Sequence, residues 1–192
     1  MHIFDFRNLV DEELLWRALK HHPLHHDLAS ELRSLTIEEK TGPNVGVEMD
    51  EQRHATLYIH PIIQPSERDR FILYHELGHL ADRINPGFGY RHRDRMQLDA
   101  QQEKNFVELW NVYIDARLNQ HGLFCLPQSG QSEFIIDGRR YVLPKNEINT
   151  YLLEAITHLT QRGMYRPGCL VSTIWNNPHR LLGFDDLLDA VR

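Results

Sequence analysis

Two histidines four residues apart, inside a run patterned as a helix, set the narrowest limit on what this chain can become. The run is Phe71-Ile72-Leu73-Tyr74-His75-Glu76-Leu77-Gly78-His79-Leu80-Ala81. On a helix, positions i and i+4 leave the same face one turn apart, so the His75 and His79 imidazoles point the same way. Their ring nitrogens can then reach one zinc ion at about 2.0–2.1 Å. Glu76 projects on the neighbouring side, where a carboxylate can hold and deprotonate a water without ligating the metal. Leu73, Tyr74, Leu77, Gly78, Leu80 and Ala81 are all uncharged, as in a helix that lies through a core beneath a cleft. The competing reading is an ordinary core helix, because three specified letters in a chain with 13 histidines can match by chance.

The rest of the composition excludes more than it selects. A chain of 192 residues is long enough to bury a full core and is read as one domain over 1–192. The net charge of -6 gives no general nucleic-acid surface, so nucleic acid is not an expected partner. Cys125 and Cys169 are too few for a disulfide framework and fit a reducing compartment. The start, Met1 to Asn8, lacks a basic and then apolar leader, and no run is long enough for a membrane span. The expected setting is the cytoplasm, with no membrane partner.

In chain order, Asp11 caps a helix over 11–20, and Leu24, Leu28, Leu32 and Leu35 suggest a second over 24–34. The turn His21-His22-Pro23-Leu24-His25-His26 is a conceivable second metal site, although such turns are ordinarily polar surface. Strands follow at Leu35–Ile37, Val45–Met49 and Ala55–His60, with a turn at Thr41-Gly42-Pro43-Asn44. Ser66 caps the helix that carries His75 and His79 to about Arg83. Asn85–Tyr90 is a breaker-rich loop. Arg91, His92, Arg93 and Arg95 read as a solvated helix start that could hold an anion. A long helix over 97–120 is apolar on more than one side. Asp137-Gly138 joins Phe134–Ile136 to Tyr141–Leu143 as a hairpin. Helices over 147–162, from 170, and over 185–191 complete the chain.

A catalytic zinc site needs a third protein ligand and leaves one position for water. On the long helix, Glu108, Asn111 and Asp115 fall on one stripe among bulky apolar residues, and a buried carboxylate there needs a partner. Zinc is one; Arg117 is another.

With those residues in view, the segment Trp110-Asn111-Val112-Tyr113-Ile114-Asp115-Ala116-Arg117-Leu118-Asn119 resembles the second conserved segment of small zincin-type metallopeptidase domains. In those, an Asn-x-x-x-Asp pattern follows the His-Glu-x-x-His helix and the aspartate completes the metal site. The resemblance covers roughly residues 30–120 and extends to the SprT-like and ImmA/IrrE-like groups. It implies Zn2+ bound by His75, His79 and Asp115, with Glu76 as catalytic general base. The ImmA/IrrE-like pattern instead points to Glu103 or Glu108 as the third ligand. Tyr113, Tyr90 and His92 are candidates to stabilise an oxyanion, and Asn111 to orient Asp115 or Glu76.

The implied fold is α+β: a small, mostly antiparallel sheet on the active-site helix, a long buried second helix, and a C-terminal hairpin and helices. The strand Ala55–His60 would be the rim where an extended peptide could add. The implied function is a zinc-dependent peptidase acting on a peptide or protein substrate. The alternatives are a non-catalytic zinc-binding interaction domain, using Arg91–Arg95 and the hairpin, and a narrow regulatory protease acting on one partner protein.

Overall fold

Alternation along three short segments decides where the first sheet forms. A computed structural model describes residues 1–5, 7–42, 45–62, 65–126, 130–178 and 183–192. Those residues form an α+β fold with eight helices, a four-stranded sheet and a two-stranded sheet. The chain divides into two compact units, 1–90 and 91–192.

In the first unit the order is β1 (His2–Phe4), α1 (Glu12–His21), α2 (His25–Glu31), β2 (Ser34–Glu39), β3 (Gly46–Met49), β4 (His54–Ile59) and α3 (Glu67–Ile84). Leu35, Ile37, Val47, Ala55, Leu57 and Ile59 are buried on one sheet face in the same core as Leu15, Leu28, Leu73, Leu77 and Leu80 of the helices. The period of two sends Ser34, Thr36, Glu38, His54, Thr56 and Tyr58 to the opposite face. The strands lie in the order β1-β2-β4-β3. β1–β2 and β2–β4 are parallel, and β3–β4 alone is antiparallel.

Two expectations are corrected here. The sheet is mixed, with two of its three pairings parallel, rather than mostly antiparallel. Consecutive strands joined by turns read as hairpins, but β3 takes the outer side of β4 and leaves β2 to pair with β4 in parallel. The strand Ala55–His60 is therefore interior and offers no open edge; the edge on that side is β3. Sequence periodicity also gives no sign of β1, because three residues are too few for a period-two signal. Pro43 and Asn44 of the expected turn lie outside the described residues.

The helices follow their caps. Asp11 accepts from the Leu14 amide at 2.9 Å at the start of α1, and α2 ends at Glu31, short of the expected 34, because β2 begins at Ser34. After β3, the Asp50 carboxylate accepts from the Gln52 and His54 amides at 2.9 and 2.8 Å. Arg53 closes that turn at φ 65, a left-handed conformation uncommon for a residue with a Cβ.

The second unit runs α4 (His92–Arg95), α5 (Ala100–Gln120), β5 (Gln131–Ile136), β6 (Arg139–Pro144), α6 (Ile148–Gln161), α7 (Pro167–Asn176) and α8 (Phe184–Val191). α5 packs against α6, α7 and α8. Its residues 112 to 116 are all buried, so that stretch is enclosed on every side, in keeping with its wide apolar surface. Asp99 caps it through the Gln101 and Gln102 amides, both at 2.8 Å. The hairpin turns at Asp137 and Gly138, with φ 51 and 73, the left-handed pair of a type I′ turn. Outside that turn the hairpin exposes several apolar side chains: Ile135 is 80% exposed, and Ile136, Tyr141 and Val142 are also exposed. No helix among the described residues is long and apolar enough to cross a membrane.

Candidate metal centre

The helix that carries the two histidines is fixed at its entrance. Ser66 accepts from the Asp69 amide at 3.2 Å, and the Ser66 amide donates to the Asp69 carboxylate at 2.9 Å. This reciprocal capping box satisfies two amides that the first turn leaves without helical partners. Glu67 and Asp69 also sit at the positive end of the helix dipole. From there α3 runs unbroken through the motif to Ile84.

On it, the His75 and His79 ring centroids are 4.9 Å apart with their planes at 75°. Two imidazoles bonded to one tetrahedral ion through nitrogens at 2.0–2.1 Å have their centroids about 5 Å apart. The observed centroid separation matches that spacing. Phe71, one turn earlier, packs its ring edge against His75 at 5.8 Å. Glu76 is 7% exposed beside the fully buried Leu73, Leu77 and Leu80, so its carboxylate lies out of bulk water.

Another side of α3 is structural. Tyr74 stacks on His22 with centroids 6.4 Å apart, and burial pushes its phenol above the ordinary value, with Arg70 opposing. His22 accepts from the Leu24 amide at 3.0 Å, so within the His21–His26 turn it serves the α1–α2 connection.

The second unit holds the three candidate carboxylates in different company. Glu103 takes Arg95 at 3.0 Å. Glu108 takes Arg162 at 3.1 Å and faces His158 at 3.3 Å. Asp115 is 4% exposed and accepts from the Tyr151 hydroxyl at 2.5 Å. Glu103 and Glu108 each meet a guanidinium, and Asp115 meets the Tyr151 phenol. Tyr151 is wedged against Phe124 at 5.3 Å and Trp175 at 5.6 Å. Burial drives its phenol well above the ordinary range, and the negative charge of Asp115 adds to the shift.

Sequence reasoning passed over Tyr151. The signal was present: it lies three residues after Ile148 and four before Ala155, on the stripe by which α6 was recognised.

The other candidates are placed as follows. Tyr113 is buried with the Arg117 guanidinium 4.2 Å from its ring. Tyr90 has Arg83 over its ring at 5.5 Å, and His92 is exposed at the start of α4. The basic cluster is partly spoken for: Arg91 pairs with Asp94 and Asp185 and covers Phe184, and Arg95 pairs with Glu103. Those carboxylates hold the Arg91 guanidinium above its already high ordinary value.

His75 and His79 are thus brought together, while Asp115, Glu108 and Glu103 belong to α5 in the second unit. Among the described residues no group of three His, Cys, Asp or Glu side chains is gathered around one point. No family model matches the chain, no curated protein matches it, and no solved structure matches it.

Proposed function

We propose that the chain is a zinc-dependent peptidase with His75, His79 and Asp115 as ligands and Glu76 as general base. One observation carries the reading: two imidazoles at the spacing of a shared tetrahedral ion flank a buried glutamate on one capped helix. A purely structural zinc site has no use for that glutamate. The resemblance to small zincins supports Asp115, and so does its burial on α5.

When bound, zinc lowers the pKa of a coordinated water toward about 7 and polarises a carbonyl oxygen. Glu76 takes the proton of the attacking water and returns it to the leaving amine. Its burial keeps competing solvent from the carboxylate. Tyr151 fixes the rotamer of Asp115, as hydrogen-bonded partners of ligating carboxylates do. An extended peptide suits β3, which packs against α3 and pairs with β4 on one side. Its outer edge has no strand partner among the described residues, so it can accept an antiparallel segment. Two free cysteines fit a cytoplasmic setting.

The test is Glu76→Gln, with zinc content and peptide hydrolysis measured on the same preparation. Retained zinc with lost hydrolysis is the expected result. Full activity in the variant overturns the general-base assignment. The exposed apolar side chains of the hairpin, Ile135 above all, favour a second reading in which the chain binds a partner protein. A wild-type protein that binds zinc but cleaves no peptide would favour it as a non-catalytic domain.

A further inference from the structure

The parallel pairing of β1, β2 and β4 sets their first residues side by side. His2 is in register with Ser34, and Ser34 with His54. All three side chains leave the sheet face opposite the core. Ser34 is only 8% exposed, and its hydroxyl lies 2.6 Å from His54 Nδ1. With Glu31, Arg33 and Arg53, these residues line a groove of about 780 Å³ at one end of the sheet.

The main chain of Arg33 is pinned on both sides: its carbonyl accepts from the His2 amide at 2.9 Å, and its amide donates to the Arg53 carbonyl at 3.0 Å. Its guanidinium has no hydrogen-bond or ion-pair partner among the described residues. Arg53 holds φ 65, where glycine or asparagine would sit with less strain. Its side chain reaches Glu31, at the end of α2. Arg53, held at this strained turn, and the uncommitted Arg33 both line the groove and bring positive charge to it.

We propose that this groove binds a tetrahedral oxyanion of the phosphate-monoester class. Guanidinium forks match such an anion two bonds at a time. The two guanidinium groups outweigh the single carboxylate of Glu31. Where Ser34 donates to Nδ1, the remaining ring nitrogen of His54 is a donor as well. A metal cation is disfavoured, because two arginines repel it and His54 Nδ1 is already engaged. The site is independent of the zinc reading.

The experiment titrates the full chain with inorganic phosphate, and separately with phenyl phosphate, at constant ionic strength. The ring resonances of His2 and His54 are followed by NMR. Saturable shifts of both rings are expected by about 10 mM anion. Arg33→Gln should weaken binding about tenfold, the loss of one charge-assisted pair. Arg53→Gly should weaken it similarly while relaxing the turn, so a folding defect cannot explain the loss. Tighter binding of phenyl phosphate assigns the site to an ester, and equal binding assigns it to the anion alone; either supports the proposal. Shifts that chloride reproduces, or that persist unchanged in folded Arg33→Gln, overturn it.

Discussion

Tyr151 donates its hydroxyl to Asp115 at 2.5 Å and so ties α6 to α5 inside the second unit. Both groups are sheltered, so the bond has little competition from water. A hydrogen bond to a charged acceptor contributes about 1.5–3 kcal/mol. Tyr151→Phe should therefore lose about that much stability near neutral pH, read from urea melts. An unchanged midpoint would mean the carboxylate finds an equally good donor.

The same pair sets an alkaline limit. Burial, then the charge of Asp115, hold the Tyr151 phenol well above its ordinary value of 10.0 in the folded state. The folded protein thus keeps a proton that the unfolded chain releases near pH 10. The stabilisation is complete below that pH and is lost as pH rises through the folded value. The slope of stability against pH above about 10 should be shallower in Tyr151→Phe. Parallel alkaline curves for the two proteins would place the loss elsewhere.

Metal content separates the candidate carboxylates. His75→Ala, His79→Ala and Asp115→Ala should each lower zinc affinity at least tenfold, and Tyr151→Phe about 10–100-fold, as removal of an outer partner does. Glu103→Gln and Glu108→Gln should leave zinc in place. Glu108→Gln should cost no more than about 1 kcal/mol, since its partners Arg162 and His158 are partly in solvent. Zinc retained by Asp115→Ala and lost by Glu108→Gln would reverse the assignment.

The entrance to α3 gives a stability test unconnected with metal. Ser66→Ala removes the side-chain acceptor of the capping box and should cost about 1 kcal/mol. Ser66→Asp should restore most of it, because a carboxylate caps as well and favours the dipole. Thermal melts of the metal-free protein read both. A silent Ser66→Ala would mean that tertiary packing alone fixes the start of the helix.

The elements legible in the sequence are those written in local chemistry. Asp11 and Ser66 cap helices through amides three residues away, and Asp137-Gly138 supplies the φ values a tight hairpin demands. His75 and His79 were readable for the same reason, since a helix converts spacing directly into a shared face. The strand order was not legible. No residue between 35 and 60 states whether β2 meets β3 or β4, and the choice rests on how the whole apolar face closes over α3. Ser34 with His54, and Tyr151 with Asp115, depend on such remote closures, so no local window contains them. Ordinary spacing could still have marked Tyr151 as inward-facing, though not its partner.

The pairing of β2 with β4 also bears on how the molecule is made. β3 and β4 meet across a short turn and can close in microseconds. Ser34 and His54 are 20 residues apart, and their strands run the same way, so β2 must wait for the chain to double back. Until it does, β4 shows an unpaired margin of Ala55, Leu57 and Ile59. That interval is when the chain is most open to pairing with a stranger, and it ends only when β2 docks against β4.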